Sequence, residues 1–96
     1  MDPDILLHDQ RAEILRIAKS HGATRVRVFG SVARGTATPD SDLDLLIDLE
    51  PGRHLLHLVA IKQDLEDLLG REVHVVTESA VRPSIRDAVL RDAVPL

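Results

Sequence analysis

The chain has 96 residues, 44% of them apolar and 29% charged, with a formal net charge of −4; residues 1–96 therefore read as one domain with a single modest core. Phe29 is the sole aromatic and no cysteine occurs, which excludes disulfides, thiolate metal sites and the stacking platforms of many single-strand nucleic-acid binders. The negative balance argues further against nucleic acid as the main partner, although Arg25, Arg27 and Arg34 could form a local basic strip.

The start, Met1-Asp2-Pro3-Asp4, is acidic and lacks the basic-then-apolar order of a signal peptide. No apolar run approaches a membrane span, so a cytoplasmic protein with no membrane partner is expected. Asp9 is a candidate N-cap for a helix whose stripe is Ile14, Leu15, Ile17 and Ala18 and which stops near Gly22. Residues 25–29 alternate as a strand with Val26 and Val28 inward. Residues 30–42 are rich in Gly, Ser, Thr and Pro and read as a turn with room for one helical turn after Ser31. Residues 43–49 form a second strand, stopped by Pro51-Gly52.

Leu58, Ile61, Leu65, Leu68 and Leu69 recur at helical steps between His54 and Gly70. Residues 72–77 are a third strand, with Val73 and Val75 on one face and His74 and Val76 on the other. Pro83 opens a final helix to about Ala93, whose Ile85, Val89 and Leu90 read as core. This order predicts an α/β fold on a small three-stranded sheet backed by helices. An apolar surplus on residues 55–69 or 83–93, or the tail Val94-Pro95-Leu96, could serve a partner.

The chemistry concentrates between residues 30 and 44. Gly30 permits close backbone approach or a positive φ, and amide groups after Ser31 suit phosphate oxygens if a helix begins there. Asp42 and Asp44 lie two apart at a strand start, so both side chains leave one face with Cα atoms about 6.6 Å apart. Two carboxylates that close repel each other without a counter-charge and can share a divalent ion. Alone, the Gly-Ser pair reads as a plain turn and Asp-x-Asp as a solvated strand end. Arg34 either meets phosphate or braces the turn by pairing with Asp40 or Asp42. Ser41 caps the turn and orients the aspartates. His54 and His57, three apart, have metal spacing but no third ligand nearby, and read as solvated helix residues.

Gly30, Ser31, Ala33, Arg34 and Gly35, followed by Ser41, Asp42, Asp44 and Leu45, resemble the signature of the minimal nucleotidyltransferase (MNT) family, within the DNA polymerase beta-like nucleotidyltransferase superfamily. Pro39-Asp40 and the Leu-Gly-Arg run from Leu69 extend the resemblance over nearly the whole chain. It implies the minimal nucleotidyltransferase fold, with a mixed sheet. It implies that Gly30 and Ser31, with Arg34 and Ser41, bind a nucleoside triphosphate, ATP, and that Asp42 and Asp44 hold Mg²⁺ or Mn²⁺. The implied reaction is AMP transfer to a hydroxyl of a partner. That partner is expected to be a HEPN-domain RNase toxin, this chain being the antitoxin; the oligomeric state is left open.

The family pattern implies a third aspartate on the third strand, where this chain has Val73-His74-Val75. Imidazole is a poor partner for Mg²⁺ and suits Mn²⁺ or Zn²⁺ better. His74 is accordingly the third catalytic candidate, as ligand or base, and two readings stay open: an active transferase, and a copy that neutralises its partner by contact alone. Asp48 lies about 13 Å along the strand from Asp44, too far to substitute. Glu72, one pleat from His74 on the same face, is a weaker candidate.

Overall fold

In the computed structural model, which describes residues 3–96, the acidic start Met1-Asp2 lies outside the described part. The first helix, α1, spans Pro3–Ser20, starting well before the position 10 that an Asp9 cap predicts. Leu7 extends the buried stripe of Ile14, Ile17 and Ala18 backwards, and proline tolerates the first helical turn. The remaining elements are β1 (Ala23–Phe29), α2 (Gly30–Arg34), β2 (Leu43–Leu49), α3 (Leu55–Leu69), β3 (Val73–Val76), a 3₁₀ turn (Glu78–Ala80), α4 (Pro83–Asp92) and β4 (Val94–Pro95).

The sheet has four strands in the order β3-β2-β1-β4, one more than predicted. β1 runs antiparallel to both β2 and β4, whereas β2 and β3 are parallel. The tail thus becomes an edge strand: Val94 pairs with Val28 and Pro95 with Arg27, and Leu96 N donates to Val26 O at 3.1 Å. A two-residue strand has no readable period, and proline, lacking an N–H, is tolerated at an edge.

Alternation splits the sheet into two faces. Val26, Val28, Leu43, Leu45, Ile47 and Val73 face α1 and α3 and pack with Ile14, Ile61 and Leu65. On the other face Phe29, Leu46 and Val76 pack with Val81, Val89 and Leu90. Being covered on both faces, β2 is a nearly continuous apolar run, interrupted by Asp44 and Asp48. Ile85, expected in the core, is instead 50% exposed, and α4 buries Val89.

Two side chains of α3 hold the first residue of β3. Lys62 Nζ donates to Val73 O at 2.8 Å, and Val73 N donates to Glu66 Oε2 at 3.0 Å. Lys62 and Glu66 also pair at 2.9 Å. Lys62 first, and then the Val73 amide, hold the Glu66 carboxyl below its ordinary 4.5. A depressed carboxyl contributes stability that is complete above the unfolded value and is lost as pH falls through the folded one. Glu66→Ala is therefore expected to lower the melting temperature at neutral pH, with the gap from wild type closing below about pH 4. Thermal denaturation at both pH values checks this; a gap that persists in acid rules out the carboxylate as its source.

Candidate active site at the junction of β1, β2 and β3

The turn after β1 is shaped by the strand beside it. Phe29 is in register with Asp44, and Gly30 follows at φ 75°. A Cβ built on Gly30 would lie under 3.0 Å from Asp44 Oδ2. Glycine is thus required twice here, by the left-handed backbone and by the carboxylate against it. α2 begins at this glycine with no side chain capping its amino end, and Ser31 sits on its first turn. Gly35 closes α2, also at φ 75°.

The loop into β2 is tied down at Ser41. Thr38 N donates to Ser41 Oγ at 2.8 Å, and Arg71 Nη1 donates to Ser41 O at 3.1 Å. Leu43 N donates to Glu72 O at 3.1 Å, which joins β2 to the residue preceding β3. Parallel pairing then sets Asp44 beside His74. His74 Nε2 lies 3.1 Å from Asp42 Oδ2 and 4.0 Å from Glu72 Oε1. Asp42, Glu72 and His74 each offer a ligand atom, all within 4.8 Å of one another.

Asp44 is half-buried, and burial pushes its carboxyl above the ordinary 3.8. His74 opposes that rise, the Asp42 charge adds to it, and Arg34 opposes it. Carboxylate oxygens gathered with one imidazole nitrogen form a donor set that fits a divalent cation.

Among the sequence candidates, Gly30, Asp42, Asp44 and His74 converge, with Ser31 and Arg34 on the adjoining α2. Arg34 pairs with Asp92 of α4 at 3.1 Å, not with Asp40 or Asp42 as the bracing alternative required. Glu72, ranked weaker, stands inside the cluster; its position two residues before His74, on the same strand face, was the available signal. Asp48 is remote, as expected, and binds Arg25 at 2.7 Å. Arg27 pairs with Glu78 at 2.6 Å. With all three arginines matched to acids, the conceivable basic strip is absent.

His54 and His57 cap α3. His54 N donates to His57 Nδ1 at 3.0 Å, and Leu56 N lies 3.4 Å from His54 Nδ1. A cleft of about 660 Å³ lined by Arg25, Asp48, Glu50 and Glu78 lies at the other end of β2. Its charges are engaged in ion pairs. No helix among the described residues is long and apolar enough to cross a membrane.

Comparison with known proteins shows the family and the fold. The family model described as nucleotidyltransferase domain matches residues 11–96. Protein adenylyltransferase MntA of Thermococcus cleftensis is 41% identical over 73 residues, covering 76% of this chain and 74% of that protein. The solved structure of a provisionally assigned minimal nucleotidyltransferase superposes with a TM-score of 0.86 at 51% identity, covering 100% of this chain and 97% of the other. A toxin-antitoxin crystal structure with AMP-PNP shares the fold at a TM-score of 0.74 and 17% identity, over 88% of this chain and 69% of that one.

Proposed function

Since the chain belongs to the nucleotidyltransferase domain family, we propose that it binds ATP at the β1–β2 junction and transfers AMP to a hydroxyl of a protein partner. The observation that carries this reading is the contact between turn and acid: Gly30 has room for no Cβ because Asp44 is there. A backbone able to cradle phosphate and a carboxylate able to serve a cation are thus adjacent.

In the transfer, the acceptor oxygen forms a bond to the α-phosphorus of ATP, the bond to the β-phosphate oxygen breaks, and pyrophosphate leaves. Gly30 lets the chain approach the triphosphate, and the Ser31 hydroxyl donates to a phosphate oxygen. Ser41 holds the loop that presents Asp42. Arg34, exposed on α2, is within reach as a further cation for the phosphates on releasing Asp92. Asp42 and Asp44 would hold a Mg²⁺ or Mn²⁺ ion, which would neutralise charge at the phosphates. The acceptor hydroxyl gives up its proton to bulk water as its bond to phosphorus forms.

The proposed partner is a HEPN-domain toxin, with residues 1–96 acting in the cytoplasm as a single-domain antitoxin. Support comes from solved toxin-antitoxin structures that share the fold, one of them naming MntA, and from an apolar patch on the first turns of α3. Leu55 and Leu56 are each 70% exposed there, beside Val59. A binding-only antitoxin is the second reading, favoured by His74 standing where the family resemblance implies an acid.

The test incubates the chain with α-labelled ATP, a divalent metal and the co-encoded toxin. Label on the toxin that disappears with a chelator is the expected result. Ser31→Ala is expected to raise the KM for ATP about 10-fold, the effect of losing one hydrogen bond to a charged group. Toxin neutralised without label would establish the binding-only reading, and failure to bind ATP at all would overturn the phosphate cradle.

A further inference from the structure

Three donors of two kinds meet at the start of β2 and β3, and their identities bear on which cation is preferred. Asp42 precedes β2, while Glu72 and His74 flank Val73 on β3. Both backbone groups of Val73 are held by α3, through Lys62 and Glu66, and Glu72 O is held by Leu43 N. The backbone carrying Glu72 and His74 is therefore fixed from two sides, and Arg71 ties the Asp42 loop to the same segment through Ser41 O.

Donor atoms bound at 2.0–2.2 Å in tetrahedral geometry stand about 3.3–3.6 Å apart. Asp42 is close to that spacing from His74 Nε2 at 3.1 Å, and Glu72 at 4.0 Å has to move in slightly. The group as a whole spans no more than 4.8 Å, which closes with a small rotation of an exposed carboxylate.

Resting on the reading of this site as one for nucleotide and cation, we infer that Asp42, Glu72 and His74 form a binding site that prefers Zn²⁺ and then Mn²⁺ over Mg²⁺. Glu72 supplies the carboxylate that residue 74 does not. Mg²⁺ takes oxygen ligands in near-octahedral geometry and gives up water reluctantly, so the imidazole disfavours it. Zn²⁺ accepts mixed nitrogen and oxygen donors, and three protein ligands leave a position open for a phosphate oxygen. The consequence is a site whose metal preference is set by His74 rather than one that is simply weak.

The experiment is calorimetric titration of the full chain with Zn²⁺, Mn²⁺ and Mg²⁺ in the absence of nucleotide. It is repeated with His74→Asp, Glu72→Gln and, as a surface acid outside the cluster, Glu50→Gln. Wild type is expected to bind in the order Zn²⁺, Mn²⁺, Mg²⁺. Glu72→Gln should weaken Zn²⁺ on the order of 10- to 100-fold, His74→Asp should erase the Zn²⁺ advantage and strengthen Mg²⁺, and Glu50→Gln should change nothing. Equal affinity for Zn²⁺ and Mg²⁺, or Zn²⁺ binding indifferent to Glu72 and His74, overturns the inference. AMP transfer measured alongside separates the two proposals. The expected metal order without transfer removes the enzymatic reading and keeps this site, whereas transfer with Mg²⁺ unaffected by Glu72→Gln removes this site and keeps the enzyme.

Discussion

Gly30→Ala is expected to lower AMP transfer on the order of 10²-fold, the scale of an ångström-sized misplacement of a reacting group, while leaving the chain folded. The added Cβ falls under 3.0 Å from Asp44 Oδ2, so the carboxylate must swing away from its place beside His74. Gly35 separates this cause from backbone strain. It has the same φ of 75°, and a Cβ there meets nothing within 4 Å. Gly35→Ala should therefore show only the left-handed cost, about 1–2 kcal/mol of stability, with transfer largely kept. Melting curves and labelled-AMP kinetics on both variants make the comparison. Equal loss of transfer in both would show that Asp44 crowding is not what makes residue 30 glycine.

Leu45→Ala should produce the largest loss of stability, about 2–5 kcal/mol. Leu45 is 0% exposed on the central strand β2, and it belongs to the cluster shared by α1 and α3. Neighbouring strands on both sides hold its backbone in place, through Val28 and Val75, so the cavity cannot collapse easily. A domain of about 100 residues has only roughly 5–15 kcal/mol in total, so such a loss would leave an appreciable unfolded fraction. Urea denaturation reads the difference. A cost below about 1 kcal/mol would mean that the core relaxes around the void, contrary to close packing of these layers. Because Asp44 and His74 ride on the same paired strands, transfer should decline along with stability in this variant and recover on cooling toward the stability maximum.

The two predictions probe different parts of what could be read from the chain. The inward faces of β1 and α3 were legible because alternation and helical recurrence are local patterns. Val26 and Val28, and likewise Ile61 and Leu65, are buried where the periods placed them. The Gly30-Ser31 turn and the Asp42/Asp44 pair were legible for the same reason, since each lies within a few residues of chain. Arg34 was not, because its partner Asp92 is 58 positions away on α4.

By itself, then, the sequence determined the element order, the family resemblance and the phosphate-and-carboxylate character of residues 30–44, all carried by short-range spacing. Only the tertiary structure decided that Val94–Pro95 joins the sheet as a fourth strand, that Arg25, Arg27 and Arg34 are neutralised, and that Glu72 joins Asp42 and His74. The physical reason is register. A parallel pairing of β2 with β3 sets which side chains thirty residues apart become neighbours. That pairing is fixed by burial on both faces of the sheet and by the Lys62–Glu66 hold on Val73, neither of which is written in any local pattern.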